Sequence, residues 1–99
     1  MTIWDVTPVR PAPRLRAAPV AVYGNRWCGI TQLIRRALDR AGIAHAYVDL
    51  DDHPEVRARL SALSGGRLRT PLVHIGGEWL MEPSLRQVQA VLARHGVRL

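Results

Sequence analysis

The change in hydrophobic period along residues 20–50 is the feature that most limits how this chain can fold. Residues 20–23 form a continuous apolar run, which is typical of a short buried strand. Beyond a polar loop, apolar residues recur three and four positions apart and define one face of a helix: Ile30, Leu33, Ile34, Ala37, Leu38 and Ala41. Gly42 ends this helix, and apolar and polar side chains alternate in residues 44–50, as they do in a strand. The pattern predicts a strand, a helix and a second strand in succession.

The second half of the chain adds a helix, a hairpin and a last helix. Pro54 fits the first turn of a helix, where its missing N–H needs no partner. The apolar face of that helix comprises Val56, Leu60 and Leu63. Gly76-Gly77 between two apolar runs is typical of a two-residue hairpin turn, and Pro83 opens the last helix. Because a strand–helix–strand unit is followed by an antiparallel hairpin, we predict an α/β domain with a four-stranded mixed sheet flanked by three helices.

Residues 1–19 differ from the rest of the chain. They are rich in proline and arginine, and no helical period survives that density of prolines. We predict a Pro/Arg-rich flexible arm at residues 1–19, with a short strand candidate at residues 3–6, and one folded domain at residues 20–99. The arm is interpreted either as a disordered leader or as a segment that docks on its own domain or on a partner.

The charge of the chain is strongly positive, with a formal value of +6 at pH 7 that comes from arginine and no lysine. The arginines are scattered and not interleaved with aromatic residues, so the pattern does not favour a nucleic-acid surface. An anionic small ligand explains the charge more simply. The abundance of arginine, alanine, valine and leucine is typical of a GC-rich bacterial genome.

Cysteine usage and hydropathy exclude several other classes. A single cysteine, Cys28, cannot form an internal disulfide. No apolar stretch has membrane-spanning length, and the first residues carry no secretion-signal pattern, so we expect a cytoplasmic protein without membrane contact. The histidines lie on different predicted elements with no ligand spacing to Cys28, so no metal site is expected.

Cys28 lies between the first strand and the first helix. Unpaired backbone N–H groups and the positive end of the helix dipole face this position, and both stabilise a thiolate. Arg26 is a candidate to add a positive charge, and Trp27 is expected to pack over the active-site loop or to close the apolar edge of the domain. Because the loop after the first strand meets the loop before the third, Pro71 is expected near Cys28.

Several short motifs between residue 20 and the C-terminus match one family. They are Val22-Tyr23, Trp27-Cys28-Gly29, Val48-Asp49-Leu50, Gly65-Gly66, Thr70-Pro71 and Pro83-Ser84. With these motifs, over roughly four-fifths of its length, the chain resembles the glutaredoxin family of the thioredoxin fold. It is most similar to the mycoredoxin branch of actinobacteria. The resemblance implies a thioredoxin-like fold, a thiol–disulfide oxidoreductase with Cys28 as its nucleophile, and a cis peptide bond before Pro71.

The chain departs from the two-cysteine form of this family at Thr31, which stands three residues after Cys28. Residues at this spacing lie on the same side of a helix start, so the Thr31 hydroxyl is placed to donate to the sulfur; alternatively, Thr31 is simply an acceptable first-turn residue. Without a second thiol, we predict a monothiol reaction. Cys28 takes up mycothiol or glutathione from thiolated proteins or small-molecule disulfides, and a second small thiol releases it. The protein is expected to be a monomer with no bound cofactor, the small thiol being a co-substrate.

The resemblance also implies where the small thiol binds. The expected ligand-binding residues are Tyr23, Arg67, Arg69, Thr70, Pro71, Pro83 and Ser84. The Thr70 backbone would pair with the bound thiol, and Arg67 or Arg69 would bind its acidic or polar groups. The helix start at Pro83-Ser84 favours anions. Glu82, just before it, has the wrong sign for a carboxylate ligand such as glutathione, which favours mycothiol.

Two other functions remain open at this point. The Cys28-Gly29-Ile30-Thr31 segment is loosely analogous to the Cys-Gly-Phe-Ser motif of monothiol glutaredoxins that bridge a [2Fe–2S] cluster, although the lysine ahead of that motif has no counterpart here. The other alternative is a redox-inactive binding module of the thioredoxin fold, in which Cys28 would be unreactive.

Overall fold

Residues 20–98 are described by a computed structural model, and they contain four strands and three helices. The elements are β1 Val20–Gly24, α1 Gly29–Arg40, β2 Ala46–Asp49, α2 Pro54–Leu63, β3 Leu72–Ile75, β4 Glu78–Met81 and α3 Leu85–Arg94. This order confirms the predicted fold class. The predicted arm at residues 1–19, with its strand candidate at 3–6, lies outside the described residues. Between residues 20 and 98, no helix combines the length and the apolar character needed to cross a bilayer.

The four strands form one mixed sheet in the order β2-β1-β3-β4. Strand β1 runs parallel to β2, with Gly24 opposite Asp49, and antiparallel to β3, with Tyr23 opposite Leu72. Strand β4 is antiparallel to β3, with Met81 opposite Leu72. The ends of β1, β2 and β4 therefore meet the beginning of β3 at one edge of the sheet. The segments that follow or precede these ends are gathered there, and they carry most of the predicted site.

Apolar side chains cover both faces of the sheet, because successive residues of a strand point to opposite sides. The larger core joins the sheet to α1 and α3 and contains Val20, Val22, Ile34, Leu38, Ile43, Val73, Ile75, Val88, Val91, Leu92 and Val97. The smaller core joins the sheet to α2 and contains Ala21, Tyr23, Val48, Leu50, Leu60 and Leu72. Each fully buried aliphatic side chain stabilises the fold by about 1.5–3 kcal/mol relative to exposure. Helix α1 is thus held on the sheet by its inner face, and its first residues are fixed above the edge.

The β3–β4 turn follows its predicted local signal, whereas α3 begins two residues after Pro83, the residue predicted to open it. Ser84 caps α3: its hydroxyl oxygen accepts a hydrogen bond from the Gln87 N–H at 3.1 Å, and the Gln87 side chain accepts one from the Ser84 N–H at 2.8 Å. A cap of this kind stabilises a helix by about 1 kcal/mol. Gly76 and Gly77 both have positive φ, as a tight hairpin turn requires.

The inner faces of two helices differ from the predicted ones. In α1 the buried residues are Thr31, Ile34 and Leu38, whereas Ile30 and Leu33 are exposed. Positions 31, 34 and 38 have the same three- and four-residue spacing as the predicted apolar face. That face was predicted from apolar side chains alone, so it did not include Thr31. In α2 only Leu60 is fully buried, and Leu63 is 76% exposed because it is the last residue of the helix.

Candidate active site around Cys28

Cys28 is the residue that caps the N-terminus of α1. Its backbone is extended (φ −82°, ψ 116°), and its carbonyl oxygen accepts the Gln32 N–H at 3.1 Å. The preceding turn is closed by Asn25, whose carbonyl oxygen accepts the Cys28 N–H at 3.2 Å and whose side chain accepts the Trp27 N–H at 3.1 Å. The thiol is half-buried. The turn thus holds the sulfur against the first N–H groups of the helix.

The electrostatics of this position favour the thiolate. Burial raises the pKa of the Cys28 thiol, and the negative charge of Glu82 raises it further. These effects are outweighed by the Thr31 hydroxyl and by the backbone N–H groups of Thr31 and Ile30, so the pKa lies below its ordinary value. This agrees with the position of Cys28 at a helix N-terminus, where unpaired donors stabilise an anion.

Thr31 is fully buried directly beneath the loop. Its hydroxyl forms no regular hydrogen bond within residues 20–98, yet the same hydroxyl is the strongest of the groups that lower the Cys28 pKa. We interpret it as a donor that engages the sulfur when the sulfur is ionised. Its position leaves no room on β1, because a Cβ atom at Gly24 would lie 2.9 Å from the Thr31 Cγ2 and closer still to Oγ1.

Arg26 connects the active-site loop to the end of β2. Its guanidinium donates to the Asp49 carboxylate at 3.1 Å and to the Asp52 carboxylate at 2.7 Å. Asp49 is buried, and its carboxylate also accepts the Asp51 N–H at 2.9 Å and the Tyr47 hydroxyl at 3.4 Å. The predicted support of the thiolate by the Arg26 charge therefore stays a prediction, since two carboxylates already engage this guanidinium. What the structure does show is that Arg26 fastens the loop to the sheet.

Trp27 and Tyr23, two residues of the predicted site, differ sharply in burial. Trp27 is 83% exposed, so it neither packs over the loop nor closes an apolar edge. Tyr23 is fully buried in the core between the sheet and α2, where its ring lies 5.9 Å from that of Trp79. Burial also raises the pKa of Tyr23 far above its ordinary value. The side chain is therefore enclosed in this core, and its contact with a small thiol stays a prediction.

The Thr70–Pro71 peptide is cis, as the resemblance implies. The pairing of Tyr23 with Leu72 continues the two strands to Gly24 and Pro71, so the proline lies at the edge that carries the Cys28 loop. Pro71 is buried, and its carbonyl oxygen accepts the Glu82 N–H at 2.8 Å. The topology therefore places the residues before β3 and after β4 on the Cys28 side of the sheet.

The remaining predicted ligand residues lie along this edge. Arg69 forms an ion pair with Glu82 at 3.3 Å, and Arg67 is exposed in the same connection. Pro83 is buried, and Ser84 uses both its hydroxyl and its N–H in the cap of α3. Their contacts with a ligand stay predictions. In the part of the chain that the structure describes, no three His, Cys, Asp or Glu side chains gather as a metal site.

Two features of the site escaped the sequence analysis. Asp49 was noted only as part of a strand end, although it is the buried anchor of Arg26, 23 residues earlier in the chain. Only the charge of Glu82 entered the sequence analysis. In the structure its backbone is left-handed, its N–H donates a hydrogen bond to the Pro71 carbonyl oxygen, and its carboxylate forms an ion pair with Arg69. The positive φ had no clear signal in the sequence, since glutamate is not a residue that favours it.

A thioredoxin-type sheet with a low-pKa cysteine at the start of α1 and a cis-proline before β3 defines a class of thiol–disulfide oxidoreductases. The family model described as glutaredoxin matches residues 20–80, and the chain belongs to the glutaredoxin family. No curated protein sequence matches the chain. Membership of this family supports thiol–disulfide oxidoreductase activity.

Solved structures with the same fold include three informative examples. A mutant thioredoxin-like protein has a TM-score of 0.64 and 23% identity, with 74% of this chain and 97% of that chain covered. The glutaredoxin of Archaeoglobus fulgidus has a TM-score of 0.62 and 17% identity, covering 86% and 97%. Buckwheat glutaredoxin, solved as a glutathione complex, has a TM-score of 0.57 and 24% identity, covering 83% and 74%. These likenesses confirm the thioredoxin-like fold.

Proposed function

We propose that this protein is a monothiol oxidoreductase that removes a low-molecular-weight thiol, mycothiol or glutathione, from mixed disulfides. The observation that carries the proposal is the pairing of Cys28 with Thr31. The first residue has a lowered thiol pKa at a helix N-terminus, and the second supplies a buried hydroxyl where a two-cysteine relative would have a thiol. This pair favours a thiolate that attacks disulfides but has no internal partner to resolve the product.

The reaction consists of two exchanges that balance without another oxidant. In the first, the Cys28 thiolate attacks the small-thiol sulfur of a protein–small thiol disulfide. A new disulfide forms between Cys28 and the small thiol, the old one breaks, and the protein leaves as a thiolate that takes up a proton. In the second, the thiolate of another small thiol attacks the small-thiol sulfur of the adduct, which releases the symmetric small disulfide and restores the Cys28 thiolate. The small thiol thus supplies the two electrons.

Residues on the two sides of Cys28 have different roles in this proposal. The Thr31 hydroxyl and the first N–H groups of α1 hold the negative charge before attack and after release. The backbone of Thr70, ahead of the cis-proline, binds the backbone of the small thiol and aligns its sulfur. Arg67, exposed in the same connection, is available to polar groups of the ligand.

Intact-mass measurements test the proposal directly. Reduced protein is incubated with mycothiol disulfide or, separately, with glutathione disulfide, and the mass is followed over time before and after addition of the matching free thiol. We expect a single adduct that free thiol removes, and none with Cys28→Ser. If no adduct forms at a pH above the pKa of the Cys28 thiol, the proposal is contradicted. Visible absorption after anaerobic reconstitution with iron and sulfide would favour the cluster-binding alternative. An unreactive Cys28 thiol together with no such absorption would favour the binding module.

A further inference from the structure

Glu82 is held in a fixed position at the edge of the site. It is a non-glycine residue with positive φ among residues 20–98 (φ 54°), a conformation that costs glutamate about 1–2 kcal/mol. Its N–H donates to the Pro71 carbonyl oxygen at 2.8 Å, in continuation of the pairing between Leu72 and Met81. The bond to the proline strand compensates for the unfavourable conformation and fixes the direction in which the side chain leaves the backbone.

The Glu82 carboxylate forms an ion pair with Arg69, a cation that an anionic ligand could otherwise bind. Its oxygen lies 3.3 Å from the Arg69 guanidinium, and both side chains are more than half exposed. An anionic ligand that binds Arg69 must therefore displace Glu82 from it and then remain beside a negative charge. The carboxylate is also close enough to Cys28 to raise the pKa of the thiol, so the charge acts at the reacting sulfur as well.

The start of α3 offers an anion fewer free donors than an uncapped helix would. The N-terminus of a helix binds anions through its unpaired N–H groups. Here the Ser84 N–H donates to the Gln87 side chain at 2.8 Å, and the Gln87 N–H donates to the Ser84 hydroxyl at 3.1 Å. Two donors at this helix start are thus already satisfied within the chain, and Glu82 stands two residues ahead of the cap.

From these three observations we infer that Glu82 and its ion pair with Arg69 make the Cys28 site select small thiols without a carboxylate near the sulfur. The inference rests on the proposed function and specifies its substrate class. The preferred ligands carry hydroxyl, amide or ammonium groups. Hydroxyls and ammonium groups donate hydrogen bonds to a carboxylate, whereas a ligand carboxylate is repelled by it. A sugar-linked thiol belongs to the preferred class.

A series of three small disulfides tests the charge selectivity. They are bis(2-hydroxyethyl) disulfide, which is neutral, cystamine, which is dicationic, and 3,3′-dithiodipropionate, which is dianionic. The rate of adduct formation on Cys28 is measured by intact mass for each, with the wild type and with Glu82→Gln. Dividing each rate by that of the neutral disulfide removes any effect of the variant on the thiolate fraction, because all three disulfides react with the same thiolate.

We expect the wild type to react more slowly with the dianion than with the neutral disulfide. Glu82→Gln should raise the ratio of the anionic to the neutral rate about threefold or more, which is the size of an exposed charge interaction. Arg69→Gln should lower the same ratio, since it leaves Glu82 without its cation. Asp39→Asn is the matched control, because it also removes one negative charge. Asp39 lies about 16 Å from Cys28 along α1, which is beyond the screening length of physiological salt.

Salt dependence checks the wild type without any substitution. Raising the ionic strength should increase the anionic-to-neutral ratio, because screening weakens the repulsion by an exposed carboxylate. A ratio that does not respond to Glu82→Gln would overturn the inference even if it responds to salt, because the Cys28 thiolate itself repels the dianion; reaction of the neutral disulfide would still support the proposed function. If no disulfide forms an adduct with Cys28, the proposed function fails and the inference fails with it.

Discussion

Gly24 and Thr31 fit together only because one of them has no side chain. A Cβ atom on Gly24 would lie 2.9 Å from the Thr31 Cγ2, a distance that real Cβ atoms essentially never show. Gly24 is the last residue of β1, and Thr31 lies in the first turn of α1. Their contact joins the sheet to the helix start that carries Cys28, so the position of the hydroxyl beneath the sulfur depends on the absence of a side chain on β1.

Gly24→Ala is expected to destabilise the protein and to disturb the thiol. Overpacking of a buried site by a methyl group typically costs about 1–3 kcal/mol, and displacement of Thr31 would weaken its interaction with Cys28. We therefore expect a lower free energy of unfolding in urea and a higher pKa for Cys28. Gly29→Ala is the control, because a Cβ atom there meets nothing within 4 Å. Equal stability of the two variants would contradict the proposed role of Gly24.

Thr31→Val is expected to raise the pKa of the Cys28 thiol. The substitution keeps the shape of the side chain but removes the hydroxyl, which is the strongest group that lowers this pKa. Thiolate absorbance followed against pH measures the change directly. The rate of adduct formation should fall at pH values below the pKa and approach the wild-type rate above it, because only the thiolate reacts. Thr31→Ser retains the hydroxyl and should keep a pKa closer to that of the wild type; an identical titration for the two variants would assign the effect to the helix backbone alone.

Asp49→Asn is expected to make the free energy of unfolding depend less on pH in the acidic range. Burial raises the pKa of Asp49, but the Asp51 N–H and Arg26 lower it more in sum, so the folded-state pKa lies below the ordinary value. The carboxylate therefore contributes stability above the unfolded-state pKa of about 3.9, and this contribution is lost as pH falls through the folded-state pKa. Urea unfolding of the wild type and the variant between neutral and acidic pH measures the difference. Asp39→Asn controls for net charge, and equal slopes for the wild type and Asp49→Asn would show that Asp49 is not the anchor.

The fold could be predicted from the sequence because its signals are local. The apolar period of α1, the alternation in β2 and the Gly76-Gly77 turn each depend on residues a few positions apart. The same local logic failed where a polar residue faces inward. Thr31 belongs to the buried face of α1, but a hydrophobicity pattern favours its neighbour Ile30, which is in fact exposed.

The site was harder to predict because its contacts connect distant parts of the chain. The ion pairs of Arg26 with Asp49 and of Arg69 with Glu82 span 23 and 13 residues. Tyr23 was assigned to the ligand although it lies in the apolar run that predicted a buried strand, and its burial follows from that run. Cys28 itself was identifiable, because a strand followed by a helix start determines which backbone groups face the thiol.

Thr31→Cys is expected to convert the site from monothiol to dithiol chemistry. A cysteine at this position is three residues after Cys28 at the start of α1, on the same side of the helix, and it is smaller than the threonine that fills the space against Gly24. The introduced thiol would attack the Cys28 sulfur of the adduct from within, release the small thiol and form an internal disulfide with Cys28. Intact mass should then show the adduct of the wild type replaced by a species that has lost two hydrogens. Reduction of a protein disulfide, followed with insulin, should also become detectable.

The control for this prediction is Cys28→Ser in the same background, which should form no internal disulfide. A stable small-thiol adduct on the Thr31→Cys variant would mean that the side chain at position 31, fixed beneath the loop, does not reach the adduct sulfur.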